Sequence, residues 1–294
     1  MDTPQLHKLT LFSITIMILL SLICPGSASR AIAAGVPVSG PAGMSFVLIS
    51  PGSFFMGSPV DEEARNEDEY RHRVTIKSPF YLQTTEVTQG QWKAVMGNNP
   101  SKFRHCGEQC PVESVSWEDV QEFIRRLNMQ VKNVRYRLPT EEEWEYAARA
   151  GSSTAIYTGP LRILGYSNAP ALDRIGWYGG NSCASYEGAS DCRSWPEKQN
   201  RCSFCGPQPV SRKQPNAWGL YDMIGNVWEW VSNWYDPYAV GTATASTEQK
   251  KGRSKVFRGG SWNYAPRSCR AAYRLDNVPS SRLPFVGFRL VRDP

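Results

Sequence analysis

Histidine is scarce in this chain, and several catalytic motifs are missing from it. The sequence holds three histidines, of which His72 and His105 lie beyond the N-terminal segment. A three-histidine metal centre therefore lacks ligands, and no Ser-His-Asp arrangement is evident. There is no Walker-type loop and no HExxH motif. These absences exclude a P-loop nucleotide site and a zinc protease of the HExxH class.

Strong charge of one sign and high overall hydropathy are also missing. Lys and Arg number 33 against 27 Asp and Glu, and the net charge of +6 is spread along the chain. An excess so small and so diffuse argues against nucleic-acid binding. The mean hydropathy of −0.43 excludes a polytopic membrane protein. A hydrophobic content of 41% excludes global disorder.

The N-terminus has the pattern of a secretory signal peptide. Lys8 precedes the apolar run Leu9–Cys24, and small residues follow, with cleavage fitting after Ser29 or Ala33. The run is shorter than the ~20 residues of a membrane span, so we expect export to the periplasm or outside the cell and no stable span after cleavage. The predicted divisions are a signal peptide over 1–29, a Gly- and Pro-bearing linker over 30–43 and one domain over 44–294.

Seven cysteines follow the signal peptide, and in an exported protein they are expected to form disulfides. Cys106 and Cys110 are near enough in sequence to close a tight local loop. Within residues 183–205, four more allow three pairings: Cys183, Cys192, Cys202 and Cys205. Because seven is odd, one thiol is left over, and Cys269 is the isolated one. The CxxC spacing of the last two cysteines in that segment also fits a zinc site, without a nearby histidine.

Capping boxes predict three helices. Thr88, Ser116 and Thr140 are each followed three residues later by a glutamine or an acid, and Gly97 marks the end of the first helix. Elsewhere the pattern predicts a hairpin from residues 46–49 and 54–56, strands at 74–76 and 80–82, and a solvated charged loop over 61–73. About half of the chain has no long periodic segment. The sequence therefore predicts one α+β domain that is poor in regular secondary structure.

A tryptophan-rich stretch, residues 216–230, carries the clearest candidate metal site. Asp222 and Glu229 bracket a turn that contains Gly225. Carboxylates together with backbone carbonyls suit a hard, oxygen-seeking cation, which in an exported protein is calcium. The alternative interpretation is a tryptophan-rich turn of the core.

A series of ordered motifs resembles the formylglycine-generating enzyme, or sulfatase-modifying factor, family. The resemblance covers residues 44–292 and implies a single compact domain related to C-type lectins. The motifs that carry it are Pro51–Ser58, Thr85–Thr88, Pro111–Trp117, Arg137–Glu145, Gly219–Tyr221, Gly225–Trp230, Arg258–Trp262 and Gly287–Arg289.

The resemblance also implies calcium sites. In the family's well-marked site the matching positions supply side chains at Asp222 and Glu229 and backbone carbonyls at Gly225 and Val227. A second family site would begin at Asn181 and Ser182. There the family pattern is lost in the cysteine-rich segment, where Glu187 or Asp191 would have to complete the site.

The catalytic site departs from the family's pattern. Family enzymes convert a substrate cysteine to formylglycine with O₂ and Cu(I), held by two cysteines whose positions here are Tyr264 and Cys269. Because Cu(I) favours two thiolates and a phenol replaces one of them, we do not expect a Cu(I) cofactor. By resemblance, Trp228, Ser261 and Trp262 contribute to the floor of the cleft.

Three functions from different classes remain open at this point. The first is a calcium-stabilised scaffold that binds a protein, peptide or small molecule in the family's cleft. The second is an oxidase of different chemistry in the same cleft, similar to the enzyme that matures the pyoverdine siderophore chromophore. The third is copper-dependent formylglycine synthesis, which the missing thiolate disfavours. Whether the chain is an enzyme therefore stays undecided from sequence.

Overall fold

Three capped helices are present in the computed structural model, which describes Met1, residues 35–236 and residues 252–294. They are α1 (Gln89–Met96), α2 (Trp117–Gln130) and α3 (Glu141–Arg149). Each begins with the predicted capping box. The hydroxyl of the cap residue accepts a hydrogen bond from the amide of the third helical residue, and the side chain of that residue accepts one from the amide of the cap residue. Gly97 ends α1 with a φ of 81°, a left-handed conformation that favours glycine.

The strands are short and form two larger sheets and two strand pairs. One sheet has the order β1-β2-β5-β13-β6, and the other has the order β11-β10-β9-β12. The two pairs are β3-β4 and β7-β8. The strands are β1 (Val38–Ser39), β2 (Ser45–Ile49), β3 (Gly52–Met56), β4 (His72–Ile76), β5 (Phe80–Gln83), β6 (Tyr136–Arg137), β7 (Ser190–Asp191), β8 (Phe204–Cys205), β9 (Trp228–Trp234), β10 (Lys255–Arg258), β11 (Arg274–Asn277), β12 (Val286–Gly287) and β13 (Val291–Arg292).

The predicted hairpin across Pro51 and Gly52 is wrong. β2 pairs with β1 and β5, whereas β3 pairs with β4 in a separate ladder. Two-residue hairpin loops need a positive φ at their first central position, and proline is fixed near −65°. The chain therefore leaves the sheet that contains β2 at Ser50 and enters the β3-β4 pair at Gly52.

The last part of the predicted linker contains a short strand. Val38 pairs with Phe46 and Ser39 pairs with Ser45, so the end of the 30–43 segment is already part of the first sheet. The predicted signal peptide, residues 1–29, lies outside the described residues apart from Met1. Among the residues that the structure describes, no helix combines the length and the apolar character that crossing a bilayer requires.

Buried ion pairs join the helices to the sheets. Arg258 on β10 donates to Glu141 and Glu145 of α3, at 2.7 and 2.5 Å, and all three side chains are buried. Arg270 likewise donates to Glu69 and Glu62, at 2.5 and 2.7 Å. Since Glu69 is fully buried, the charged segment 61–73 is not the solvated loop that its composition predicts, because it neutralises an internal arginine.

Candidate functional site: an aromatic cleft with a buried thiol beneath it

An open cavity of about 630 Å³ lies where the loop after β10 meets two other loops. Five of its lining side chains are aromatic, and Arg267 is the charged side chain among the described lining residues. Because these groups come from distant parts of the chain, no local sequence pattern marks the cleft. The lining consists of Tyr166, Ser167, Trp195, Pro196, Asn263, Tyr264, Ala265, Arg267, Ser268, Tyr273 and Phe285.

Tyr264, which the sequence resemblance places at one of the two copper-thiolate positions, lines this cavity. Its half-buried ring packs edge-on against Trp228 at 5.2 Å and against Phe285 at 5.4 Å between ring centroids. Burial, with a smaller contribution from Tyr273, raises the pKa of the Tyr264 phenol. The phenol is therefore neutral at physiological pH, and a neutral phenol is a weak ligand for a soft cation.

Cys269, at the other position, is a free thiol that does not line the cavity. The side chain is fully buried, and its Sγ lies under Gly260, where an added Cβ would come within 2.6 Å of it. Burial raises the pKa of Cys269 to about 12, although the Ser261 amide acts in the opposite direction. This thiol is therefore protonated at neutral pH, and a protonated thiol is not a nucleophile.

The remaining cysteines of the described chain are consumed by three disulfides. Cys106 pairs with Cys110, as the loop length predicts. Of the three pairings that the sequence allowed in the cysteine-rich segment, the structure has Cys183–Cys202 and Cys192–Cys205. The two cysteines of the CxxC motif therefore belong to different disulfides. The described residues thus offer Cys269 no second thiolate, and they do not fit a two-thiolate Cu(I) centre.

The two other predicted catalytic residues lie below the cleft surface. Trp228 is fully buried, and its Nε1 has no hydrogen-bond acceptor within the described chain. The Ser261 hydroxyl donates to Asn263 Oδ1 at 2.8 Å and is buried as well. Neither side chain belongs to the cavity lining. Trp228 therefore packs against Tyr264 of the lining, and Ser261 is bonded to Asn263 of the lining.

The predicted calcium ligands lie in a buried acidic group on the other side of β9. The turn after Asp222 has a φ of 54° at Asp222, 85° at Gly225 and 60° at Asn226. A Cβ on Gly225 would lie 2.2 Å from the Trp177 carbonyl, so only glycine fits there. Such strained turns are characteristic of functional sites.

The sequence predicts Glu229 as a calcium ligand, and in the structure its carboxylate is bonded to an arginine. Both of its carboxylate oxygens accept hydrogen bonds from Arg289 at 2.7 Å, and one also accepts from Trp144 Nε1 at 2.7 Å. All three side chains are buried. Glu229 is therefore mainly the counter-ion of Arg289. The sequence did not indicate this pairing, because the two residues lie far apart along the chain.

A third buried carboxylate, Glu86, leaves the group with excess negative charge. Both oxygens of Glu86, Asp222 Oδ1 and Gln83 Oε1 are buried without a hydrogen-bond partner among the described residues. Burial and the nearby charges of Asp222 and Glu229 raise the pKa of Glu86 well above its usual range. Burial also raises the pKa of Asp222 to about 6.

Orphaned buried oxygens of this kind are rare in folded proteins, because leaving them unpaired is costly. Three carboxylates against the single guanidinium of Arg289 leave an excess of two negative charges when all are ionised. Carboxylate and amide oxygens are ligands of Ca²⁺. These unpartnered oxygens are of the type that a divalent, oxygen-seeking cation takes. Glu86 is a member of the acidic group that the sequence did not indicate.

The side chains predicted to form the second calcium site are hydrogen-bonded to the backbone. Asn181 Oδ1 accepts from the Tyr178 amide at 2.9 Å, and the Ser182 hydroxyl donates to the Trp262 carbonyl at 2.6 Å. The two acids proposed to complete it are engaged elsewhere. Asp191 pairs with Arg193, and Glu187 is largely exposed beside His105. Asn181 and Ser182 therefore act as internal braces of the backbone.

Comparison with known proteins identifies the family. A model of the "Sulfatase-modifying factor enzyme 1-like domain" matches residues 36–294, which is most of the chain. This chain belongs to the sulfatase-modifying factor family. The start of the match at residue 36 agrees with the strand pairing of Val38 and Ser39. The predicted fold class, a single α+β domain of this family, is confirmed.

The similar proteins carry different functional names. The chain is 28% identical to the "Chaperone protein LppX" of Paenibacillus barcinonensis, covering 84% of this chain and 88% of that protein. It is also 28% identical to a formylglycine-generating enzyme of Thermomonospora curvata, covering 86% and 73%. The solved structure of PvdO from Pseudomonas aeruginosa superimposes with a TM-score of 0.70 at 27% identity, covering 89% and 99%.

Proposed function

We propose that this chain is an exported, calcium-stabilised binding domain that does not make formylglycine with copper. The observation that carries the proposal is the state of Cys269, a single buried thiol with Tyr264 at the position of its partner. Without a thiolate pair, the cleft keeps the shape of the family's site and loses its metal chemistry. Three disulfides support export, since such bonds persist in oxidising compartments.

The cleft favours a ligand with a planar ring and a negative charge. Tyr166, Trp195, Tyr273 and Phe285 offer ring faces and edges for stacking. Arg267 is exposed at the rim, and its recorded contact is a hydrogen bond to the neutral Asn66 side chain at 3.3 Å. Among the described residues Arg267 has no acidic partner, and a guanidinium of this kind suits a carboxylate. The ligand class is therefore an aromatic or heteroaromatic acid, free or at the end of a peptide.

Copper titration distinguishes binding from catalysis. Purified protein is titrated with Cu(I) against a competing chelator, and O₂ uptake is followed with a sulfatase-motif peptide. We expect no stoichiometric Cu(I) binding and no O₂ uptake. One tightly bound Cu(I) per chain, together with peptide oxidation, would establish the family's enzymatic reaction instead. O₂ uptake without copper, with a ligand bound in the cleft, would establish the alternative oxidase.

Ligand class is tested with indole-3-acetate and with indole as its uncharged counterpart. We expect the acid to bind more tightly, by about tenfold, which corresponds to ~1.4 kcal/mol for one charge-assisted contact. Arg267→Ala should remove that preference and leave indole binding unchanged. Arg212→Ala is the matched control, because Arg212 is exposed and does not line the cleft. Equal binding of both compounds by the unmodified protein would refute this ligand class.

Calcium in this proposal has a structural role. Glu86 and Asp222 would supply oxygen ligands, and the backbone of the 222–227 turn would complete the site. The bound charge would offset the excess of the buried carboxylates. Glu229 of the acidic group follows Trp228 directly at the start of β9, and Trp228 contacts Tyr264 of the cleft. Loss of the cation would therefore loosen the cleft as well as the fold.

A further inference from the structure

The four half-cystines of the cysteine-rich segment form a compact group of sulfurs. The disulfides Cys183–Cys202 and Cys192–Cys205 lie side by side, with 3.7 Å between Cys202 Sγ and Cys205 Sγ. The sulfurs of Cys192, Cys202 and Cys205 all lie within 4.8 Å of one another. A sulfur released from the first disulfide is therefore already beside the second disulfide.

Lys198 lies next to the two sulfurs that would leave in successive exchange steps. Its Nζ is 3.3 Å from Cys192 Sγ and 3.9 Å from Cys202 Sγ, and it donates to the Cys202 carbonyl at 2.5 Å. An ammonium group near a sulfur stabilises the thiolate. The better-stabilised thiolate is the better leaving group, which directs an attacking thiol to the other sulfur of the bond.

The two disulfides differ in accessibility. Cys183 and Cys202 are partly exposed, and Cys202 lines an open cavity of about 540 Å³ together with Lys198. Cys192 and Cys205 are buried. A thiol from solution therefore reaches the first disulfide, and the second disulfide is reached from Cys202.

We propose that this group is a thiol–disulfide exchange site whose substrate is a small thiol. The external thiolate attacks Cys183 Sγ, the Cys183–Cys202 bond breaks, and Cys202 leaves as a thiolate. Cys202 then attacks Cys205 Sγ, the Cys192–Cys205 bond breaks, and Cys192 leaves as a thiolate that takes a proton from solvent. Two S–S bonds exist before and two afterwards, one of them to the external thiol, so no further oxidant or reductant is consumed.

Exchange at this site is connected to the aromatic cleft through Trp195. Its backbone amide donates to the Cys192 carbonyl at 3.1 Å. Its ring stacks on Trp262 with 5.9 Å between centroids and lines the cleft cavity. Release of Cys192 would therefore remove a restraint on one wall of the cleft. The exchange chemistry itself does not depend on which ligand the cleft binds.

The first test frees Cys202 without any added thiol. The Cys183→Ser variant is quenched with acid, labelled with N-ethylmaleimide and analysed by peptide mapping. We expect a Cys202–Cys205 disulfide and label on Cys192. Label on Cys202 beside an intact Cys192–Cys205 bond would overturn the proposal. Cys106→Ser is the matched control, because it frees Cys110, which lies outside the three-sulfur group. There, label should fall on Cys110 and on none of the four cysteines of the 183–205 segment.

The second test uses the unmodified protein, so that it does not depend on a variant that folds poorly. Brief treatment with glutathione should place glutathione on Cys183 and leave Cys192 open to maleimide. Lys198→Met should slow the labelling of Cys192 by about tenfold, the equivalent of one pKa unit on the leaving thiols. Glutathione on Cys202, or equal labelling rates in both proteins, would contradict the proposed order of steps.

Discussion

Arg289 donates one hydrogen bond to each carboxylate oxygen of Glu229, both at 2.7 Å, in a group where all side chains are buried. This pair separates the acidic group into two parts. Glu229 is neutralised by a guanidinium, whereas Glu86 and Asp222 retain oxygens without partners in residues 35–236 and 252–294. Arg289 also donates to the carbonyls of Gln83 and Tyr221, at 3.2 and 2.9 Å, so it joins β5 to the turn that precedes the acidic group.

Removal of the Arg289 charge should strongly destabilise the fold. We expect Arg289→Gln to lower the free energy of unfolding by about 3–5 kcal/mol, since it leaves Glu229 buried without a counter-ion. Arg282→Gln is the control, because Arg282 pairs with Asp119 at the surface, where an ion pair contributes about 0–1 kcal/mol. Urea unfolding measures both values. Similar losses in the two variants would show that burial does not govern the pair.

Calcium should stabilise the protein, and the effect should depend on the orphaned oxygens. Removal of calcium with a chelator is expected to lower the melting temperature, because the excess charge of Glu86 and Asp222 is then unbalanced. Asp222→Asn and Glu86→Gln should each reduce the response to added calcium. Asp276→Asn, on β11 away from this group, should leave the response unchanged. Identical melting curves with and without chelator would remove the site.

The calcium-free protein should become more stable on mild acidification. Burial raises the pKa of Asp222 from 3.8 to about 6, and the pKa of Glu86 moves in the same direction. The folded state therefore binds protons that the unfolded state releases, so this contribution is greatest below about pH 4 and is lost as pH rises through about 6. Urea unfolding at about pH 5 and pH 7.5 should show the decrease, and Asp222→Asn should reduce it. The opposite slope, unchanged in Asp222→Asn, would contradict this assignment.

Cys269 should be inert in the folded protein. Because the thiol is buried and its pKa is raised to about 12, maleimide labelling at neutral pH should require unfolding. Peptide mapping locates the label. A cysteine introduced by Tyr264→Cys lines the open cleft and should react in the native state. Rapid native labelling of Cys269 in the unmodified protein would indicate that the thiol is accessible to metals or substrates.

Gly260 should tolerate no side chain, because it covers the Cys269 sulfur. Gly260 has a φ of +85°, and a Cβ there would lie 2.6 Å from Cys269 Sγ and 3.0 Å from the Ser268 carbonyl. Gly151 has a similar φ of +89° with open space around it, so Gly151→Ala measures the backbone strain alone, about 1–2 kcal/mol. We expect Gly260→Ala to cost clearly more in urea unfolding. Equal costs would mean that the contact over Cys269 relaxes freely.

Interactions between residues close together in the sequence determined several structural features of this protein. The capping boxes at Thr88, Ser116 and Thr140 fix three helix starts, since each cap needs only residues within one turn. The four-residue spacing of Cys106 and Cys110 determines their loop. The ordered motifs indicate the family, and by resemblance Tyr264 stands where a copper thiolate is expected.

Tertiary structure decided what depends on residues that are distant in sequence. The partner of Glu229 is Arg289, and in the part of the chain that the structure describes Glu86 and Asp222 keep carboxylate oxygens without partners. The disulfide pairing in segment 183–205 was one of three that spacing allowed. The walls of the cleft come from separate loops, because aromatic packing and charge neutralisation act through space and leave no periodic signal in the chain.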